Sequence, residues 1–323
     1  MKEIEVINLV KKYNDVIALN GISFSVEKKE IFGLLGPNGA GKTTTIKILT
    51  GLTKPTAGEA YVAGFNVVKN PKEVKKRIGW VASEVILDDE LTVWENIELQ
   101  ARLHSLKGWQ DRGKELLRVF DLQNYSNKPV GKLSTGMRKK LEIITAILHS
   151  PEVIFMDEPT IGLDVNTRML IWSMIRQINK EFDVTILLTT HYMEEADQLC
   201  NRVAIINQGK IVDIGSPLEL KSKISGDVIE IEVNELGNDV QKLKQIEGIE
   251  ELIIADGKIR IKAKNAEKII PDLVKSIDFS KVKSMKIERP TLDTVFMILT
   301  GKRIEESNVD FRKLYMNIRR VRM

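Results

Sequence analysis

The sequence predicts an α/β protein in two parts, a larger domain built on buried parallel strands and a smaller α+β domain of ferredoxin-like order behind it. Three observations carry that prediction. First, the glycine-rich turn Gly36-Pro37-Asn38-Gly39-Ala40-Gly41-Lys42-Thr43-Thr44 follows the apolar run Ile31-Phe32-Gly33-Leu34-Leu35 and precedes a helical pattern over 45–50. Second, two later apolar runs, at 153–156 and 184–188, lead into residues that carry chemistry, Asp157-Glu158 and, past Thr189-Thr190, His191. Third, near Ser225-Gly226 the pattern changes to the period-two alternation Val228-Ile229-Glu230-Ile231-Glu232-Val233, as in a half-buried strand.

Strand, glycine-rich turn and helix form the setting in which G-x-x-x-x-G-K-[ST] binds phosphate. Backbone N–H groups of the turn converge on phosphate oxygens, and the start of the helix adds its positive dipole end. Gly36, Pro37, Asn38, Gly39, Ala40, Gly41, Lys42, Thr43 and Thr44 are therefore the candidate cradle for a nucleotide. In it Lys42 reaches the β- and γ-phosphates and the Thr43 hydroxyl ligates Mg²⁺. A glycine-rich turn without a ligand is the alternative, and the flanking strand and helix weigh against it. The acidic pair sits at the carboxyl end of a buried strand, where open α/β sheets bind ligands. Asp157 is placed to hold Mg²⁺ through its water shell, and Glu158 to polarise an attacking water as general base. His191 emerges at another strand's end, within reach of the γ-phosphate; a lone histidine there is more often structural.

The next segment, Leu133-Ser134-Thr135-Gly136-Met137, opens a helix with Leu141, Ile144, Ile147 and Leu148 on one side. Arg138, Lys139 and Lys140 at its start oppose the helix dipole, which makes sense if that end faces an anion. A Ser/Gly turn by itself is usually just a cap. In this order and spacing the chain resembles the ATP-binding cassette (ABC) ATPases, whose signature segment is LSGGQ. The resemblance implies a P-loop cassette with a mixed sheet and a helical subdomain. It also implies that the ring of Tyr13 stacks on adenine, that Gly162-Leu163-Asp164 is the D-loop, that His191 is the switch histidine and that 202–210 form the closing hairpin. In this family two ATP molecules, with Mg²⁺, are buried between two cassettes. By analogy Ser134 and the backbone of Gly136 bind the γ-phosphate of the partner's ATP, so the working unit holds a second cassette, expected to be a second copy of this chain. ATP closes the pair and hydrolysis opens it.

Three positions depart from the family pattern. Thr135 and Met137 stand where Gly and Gln are commonest, and Thr135 requires φ < 0. In the Q-loop the glutamine's place is taken by Ser83, with Glu84 next to it. Either Glu84 supplies the Mg²⁺ contact or water does.

The 323 residues suffice for two domains, and 43% hydrophobic with 29% charged content is ordinary for globular cores with solvated surfaces. No apolar stretch approaches the length of a membrane span, and the start lacks the apolar core of a signal peptide. Net charge +4 is too weak to imply nucleic acid, and none is expected as a partner. The single cysteine, Cys200, beside Leu199, reads as a buried inert thiol. The expected place is cytoplasmic, peripheral on the inner face of the cell membrane, with a separate transmembrane permease providing the path for solute.

Between the P-loop and the signature, Thr92 and Glu95 make a capping box for a helix with Trp94, Ile97 and Ala101, and a second helix carries Leu116, Leu117 and Phe120. By family resemblance the surface near 86–91 receives a helix of the permease. The second domain reads as the alternating strand, a helix over 236–246, a hairpin turning at Asp256-Gly257, a helix that Pro271 should kink or shorten, and a strand over 282–288. That is the split βαβ, ferredoxin-like order. A last amphipathic helix places Leu292, Val295, Phe296 and Leu299 on one side and stops near Gly301. The ending, Arg289-Pro290-Thr291-Leu292-Asp293-Thr294-Val295-Phe296, resembles the C-terminal domain of daunorubicin-type drug-exporter ATPases.

The expected division is thus 1–224 cassette, 225–301 accessory domain and 302–323 basic tail. In the tail Phe311, Leu314, Tyr315 and Ile318 would line one side of a helix suited to an anionic membrane surface, a frayed end or a docked helix being the alternatives. The resemblance implies an ATPase that dimerises on ATP and drives export of a drug or lipid-like solute through the permease. An importer subunit is the nearest rival, and a soluble ABC protein without a transport role is the other.

Overall fold

A computed structural model describes residues 2–223, 227–233, 243, 246–255, 258–263, 265–277, 282–288 and 290–300. The chain opens with the long strands β1 (Lys2–Tyr13) and β2 (Val16–Glu27), then β3 (Ile31–Leu35) and α1 (Lys42–Leu49). β4 (Ala57–Val62), β5 (Phe65–Asn66), α2 (Pro71–Arg77) and β6 (Ile78–Val81) follow. The helical subdomain contains α3 (Val93–Leu103) and α4 (Trp109–Val119), and α5 (Thr135–Ile147) leads from it back to β7 (Val153–Asp157). α6 (Val165–Glu181), β8 (Thr185–Thr190), α7 (Met193–Leu199), β9 (Arg202–Asn207), β10 (Lys210–Gly215) and α8 (Pro217–Ser222) come next. The last part holds β11 (Asp227–Val233), β12 (Ile249–Ala255), β13 (Lys258–Ala263), α9 (Ala266–Ser276), β14 (Val282–Glu288) and α10 (Leu292–Thr300).

The central six-stranded sheet runs β10-β9-β3-β8-β7-β6, parallel except where β10 closes an antiparallel hairpin with β9. Its continuous apolar runs reflect burial on both faces, because successive side chains point to opposite sides. Ile31, Leu35, Ile154, Met156, Ile186 and Leu188 enter the core shared with α3 to α7. Phe32, Leu34, Val153, Phe155 and Leu187 enter the other core, beneath the antiparallel sheet β2-β1-β4-β5. The mixed sheet and helical subdomain are as expected. In the subdomain the Thr92/Glu95 capping box is formed, Ile97 and Ala101 are buried, and Trp94 packs partly buried at the core's edge. Cys200 is buried beyond the end of α7, and burial pushes its thiol well above the ordinary range, as suits an inert core residue. Among the described residues no helix is long and apolar enough to cross a membrane.

The third sheet is antiparallel in the order β12-β13-β11-β14, the strand order of a split βαβ fold. Two of the expected details differ. Pro271 does not end α9: the helix continues through it to Ser276, with Ile269 and Leu273 buried and Pro271 exposed, so one lost backbone hydrogen bond is outweighed by the packed face. The last helix, α10, belongs to a different core from the one its sequence position suggests. Leu292, Val295 and Phe296 are buried in the core of the first part, against α7 and α8, and Leu299 is 38% exposed. The helix expected over 236–246 falls largely outside the described residues, although Leu243 is helical and buried. The boundary at Ser225-Gly226, the turn at Asp256-Gly257, Arg289, Gly301 and the tail 302–323 also lie outside them.

Candidate active site

The glycine-rich turn leaves β3 with every strand residue buried, and α1 begins at Lys42, earlier than the apolar pattern suggested. Gly41 sets that start. It caps the helix at φ 107°, and a Cβ there would meet the Ala18 carbonyl oxygen at 2.7 Å, so both backbone and space demand glycine. Lys42 is 4% exposed and donates to the carbonyl oxygens of Gly36 at 2.7 Å and Pro37 at 3.1 Å. Its ammonium also lies 3.1 Å from Glu158 Oε1.

β7 and β8 pair Asp157 with Thr189, and this register assembles the acidic side of the site. The Thr189 hydroxyl donates to Asp157 Oδ1 at 2.6 Å, and the Thr43 hydroxyl reaches the same oxygen at 3.2 Å. Glu158 stands at φ 49°, its N–H donating to the Thr189 carbonyl and hydroxyl oxygens. His191 Nδ1 lies 3.1 Å from Glu158 Oε2. Burial pushes the Glu158 carboxyl up, but the hydrogen bonds and positive charge of His191 and Lys42 outweigh it, and the net shift is downward. The carboxylate form is therefore the one present at neutral pH. Lys42, Thr43, Asp157, Glu158 and His191, far apart in sequence, form one connected set, and Thr189 joins it. The sequence reading passed over Thr189; its only signal was a run of threonines ending an otherwise apolar strand.

This set fits a nucleotide with Mg²⁺. The Thr43 hydroxyl donates directly to the Asp157 carboxylate, so two oxygen groups of the kind Mg²⁺ accepts stand side by side. Gly39, at φ 78°, has open space where a Cβ would stand. Asn38 and Gly39 are exposed at the turn's tip, and Thr44 is partly buried one turn into α1.

The remaining expected residues lie apart from this set. Tyr13 ends β1, 44% exposed as a residue, with the Lys11 ammonium 4.7 Å from the centre of its ring. Ser134 caps α5, its hydroxyl oxygen accepting from the Met137 N–H, which leaves its own proton free to donate. Thr135 is helical and has no positive φ, so threonine is tolerated there. Gly136 has an in-chain reason to be glycine: a Cβ would come within 2.8 Å of Thr167 Cγ2 on α6. Asp164 of the D-loop caps that helix through the Thr167 N–H. Ser83 and Glu84 are both exposed and belong to none of the hydrogen bonds that join Lys42 to His191.

The reading of Arg138, Lys139 and Lys140 as cations facing an anion is corrected. Arg138 pairs with Asp89, Lys139 is buried between Glu142 and the Ala82 carbonyl, and Lys140 donates to the Phe120 carbonyl. Their partners come from the helical subdomain, from the strand end before the Q-loop and from α5 itself, none of which helix periodicity reveals.

Residues 19–161 match the family described as ABC transporter, and residues 215–300 match the ATP-binding protein DrrA1-3-like C-terminal domain. The daunorubicin resistance ATP-binding protein DrrA2 of Streptomyces coeruleorubidus is 36% identical over 92% of this chain and 94% of its own length. The linearmycin resistance ATP-binding protein LnrL of Bacillus subtilis (strain 168) is 33% identical over 93% of this chain and 98% of its own. Among solved structures, an ATP-binding cassette in a dimeric post-hydrolysis state bound to ADP and Pi superposes with a TM-score of 0.59 at 25% identity, covering 66% of this chain and 98% of that one.

Proposed function

The chain belongs to the ABC transporter ATP-binding family and is an ATPase, and we propose that two copies of it act together beneath a separate membrane permease to drive export of a drug or lipid-like solute. The observation that carries the hydrolytic part is the connected set Lys42, Thr43, Asp157, Glu158 and His191. Export is supported by the drug-resistance relatives, whose likeness extends through the second domain.

In this mechanism the N–H groups of the Gly36–Thr44 turn and Lys42 bind the phosphates, and the Tyr13 ring stacks on adenine. A triphosphate draws the Lys42 ammonium from the Gly36 and Pro37 carbonyls and from Glu158. Glu158 then accepts a proton from the water that attacks the γ-phosphate, with His191 holding the carboxylate in place. Thr43 and Asp157 would hold Mg²⁺, which when bound would offset the negative charge on the phosphate oxygens. Ser134 and the Gly136 N–H donate to the γ-phosphate bound by the second copy.

Glu158→Gln tests the reading. It keeps shape and hydrogen bonding but loses the base, so turnover should stop while Mg·ATP binding persists and holds two chains together. Size-exclusion chromatography of the variant with ATP should show a dimer; a monomer that binds ATP normally argues against paired action. The export part is checked by purifying the chain from membranes with its permease and measuring ATP-dependent drug efflux from vesicles.

A further inference from the structure

Glu195 lies on α7, one turn beyond His191, and is fully buried. An acid in that position is costly unless its hydrogen bonds are satisfied. Oε1 accepts from the Thr160 hydroxyl at 2.7 Å and from the Trp172 indole N–H at 2.9 Å, while Oε2 is buried without a hydrogen-bond partner among the described residues. Burial pushes the carboxyl above its ordinary range, and the Thr160 hydroxyl, the Trp172 indole and the Arg168 charge offset part of that.

Its two donors stand on different segments of the active site. Thr160 follows Glu158-Pro159, on the loop that carries the base. Trp172 is on α6, the helix capped by Asp164 of the D-loop. Thr190 ends β8 directly before His191, and its hydroxyl oxygen accepts from the Tyr192 N–H. A second route joins the same segments: the Arg168 guanidinium of α6 lies 4.3 Å over the Tyr192 ring, which is 4.1 Å from the His191 ring.

We propose that Glu195 is a positioning residue for hydrolysis, tying the Glu158 loop and α6 to α7, the helix that follows His191, so that Glu158 and His191 stay in contact. The inference rests on the roles assigned to Glu158 and His191. Packing alone does not call for an acid here, since apolar residues of similar volume fill such a space at no desolvation cost. A carboxyl oxygen shared by two donors fixes direction as well as distance, and that is what a base and its orienting histidine require. It also gives movement of α6 and the D-loop a direct path to the switch.

The test uses the full chain with Mg·ATP, measuring kcat, KM and binding of a fluorescent ATP analogue. Glu195→Ala should lower kcat by about tenfold to a hundredfold while nucleotide binding holds, because only the reacting geometry is lost. Glu195→Gln keeps an acceptor oxygen and should remain within about threefold of wild type. Trp172→Phe and Thr160→Val each remove one donor and should each cost about three- to tenfold in kcat at unchanged affinity. Those two variants decide the matter if Glu195→Ala does not fold. Wild-type kcat in both overturns the proposal, as does a Glu195→Gln variant as slow as Glu195→Ala, or nucleotide affinity that falls in step with kcat. Glu158→Gln is the separate control: turnover that survives it condemns the base assignment, whatever the Glu195 series shows.

Discussion

Glu158 is held in a backbone conformation that side chains rarely adopt, and the cost, about 1–2 kcal/mol, is met by the two bonds its N–H makes to Thr189. Thr189 therefore serves both acidic residues, fixing the Asp157 carboxylate through its hydroxyl proton and the Glu158 backbone N–H through its oxygens. Thr189→Val should cost about 1.5–3 kcal/mol of transition-state stabilisation, a drop in kcat/KM of about tenfold to a hundredfold, with Thr189→Ser largely restoring it. Equal activity in the valine variant would show that the register alone holds the acidic pair. Lys42→Ala should instead lose nucleotide affinity, read directly by equilibrium binding, because it removes the buried charge of the cradle. At the Q-loop, Glu84→Ala should slow ATPase activity at limiting Mg²⁺ more than Ser83→Ala, since a carboxylate reaches further than a hydroxymethyl group. The opposite ranking removes Glu84 from the metal site.

At the scale of elements, α10 is the piece whose placement matters most. Its apolar stripe was legible at i, i+3, i+4, yet the stripe does not say which core receives it. Phe296 fills the core against α7 and α8, so Phe296→Ala should destabilise the first part of the chain by about 3–5 kcal/mol. Thermal unfolding followed by ATP-analogue binding reports on that part alone. An unchanged midpoint would mean that α10 contributes nothing to its stability. The same lesson applies to α5: Leu141, Ile144, Ile147 and Leu148 were correctly read as core, whereas its three cations find partners that only folding supplies.

For the whole molecule, paired action makes a prediction that no single chain can satisfy. Mixing Ser134→Arg with Lys42→Ala subunits yields some dimers with one doubly damaged and one intact shared site. ATPase activity above that of either parent supports sites shared between copies. Stability of the fold should also depend on pH through His149, whose Nε2 bonds the Ile78 carbonyl and whose ring stacks on His104 at 3.9 Å. Burial, helped by His104, pushes His149 down from 6.5 to about 4. Between those values the unfolded chain binds a proton there and the folded chain does not, so stability rises with pH across the window and falls on acidification. The loss reaches at most about 2 kcal/mol by pH 5. His149→Gln should flatten the melting temperature between pH 7 and 5; an unchanged slope would clear this residue.

Sequence alone determined the elements whose chemistry is local. The turn from Gly36 to Thr44, the apolar strands beside it, the Thr92/Glu95 cap and the alternating strands of the last sheet are set by residue type and spacing over a few positions. It also marked Lys42 through the glycine-rich motif that precedes it, and Asp157, Glu158 and His191 because each stands at a strand end where a parallel sheet gathers its ligands. Tertiary structure decided what depends on register and on which face meets which. Asp157 and Thr189 meet because β7 pairs with β8, and Gly136 is hemmed in by Thr167 because α5 crosses the start of α6. α10 leaves its own sheet for another core because burial of Leu292, Val295 and Phe296 is rewarded by area, and area carries no record of distance along the chain.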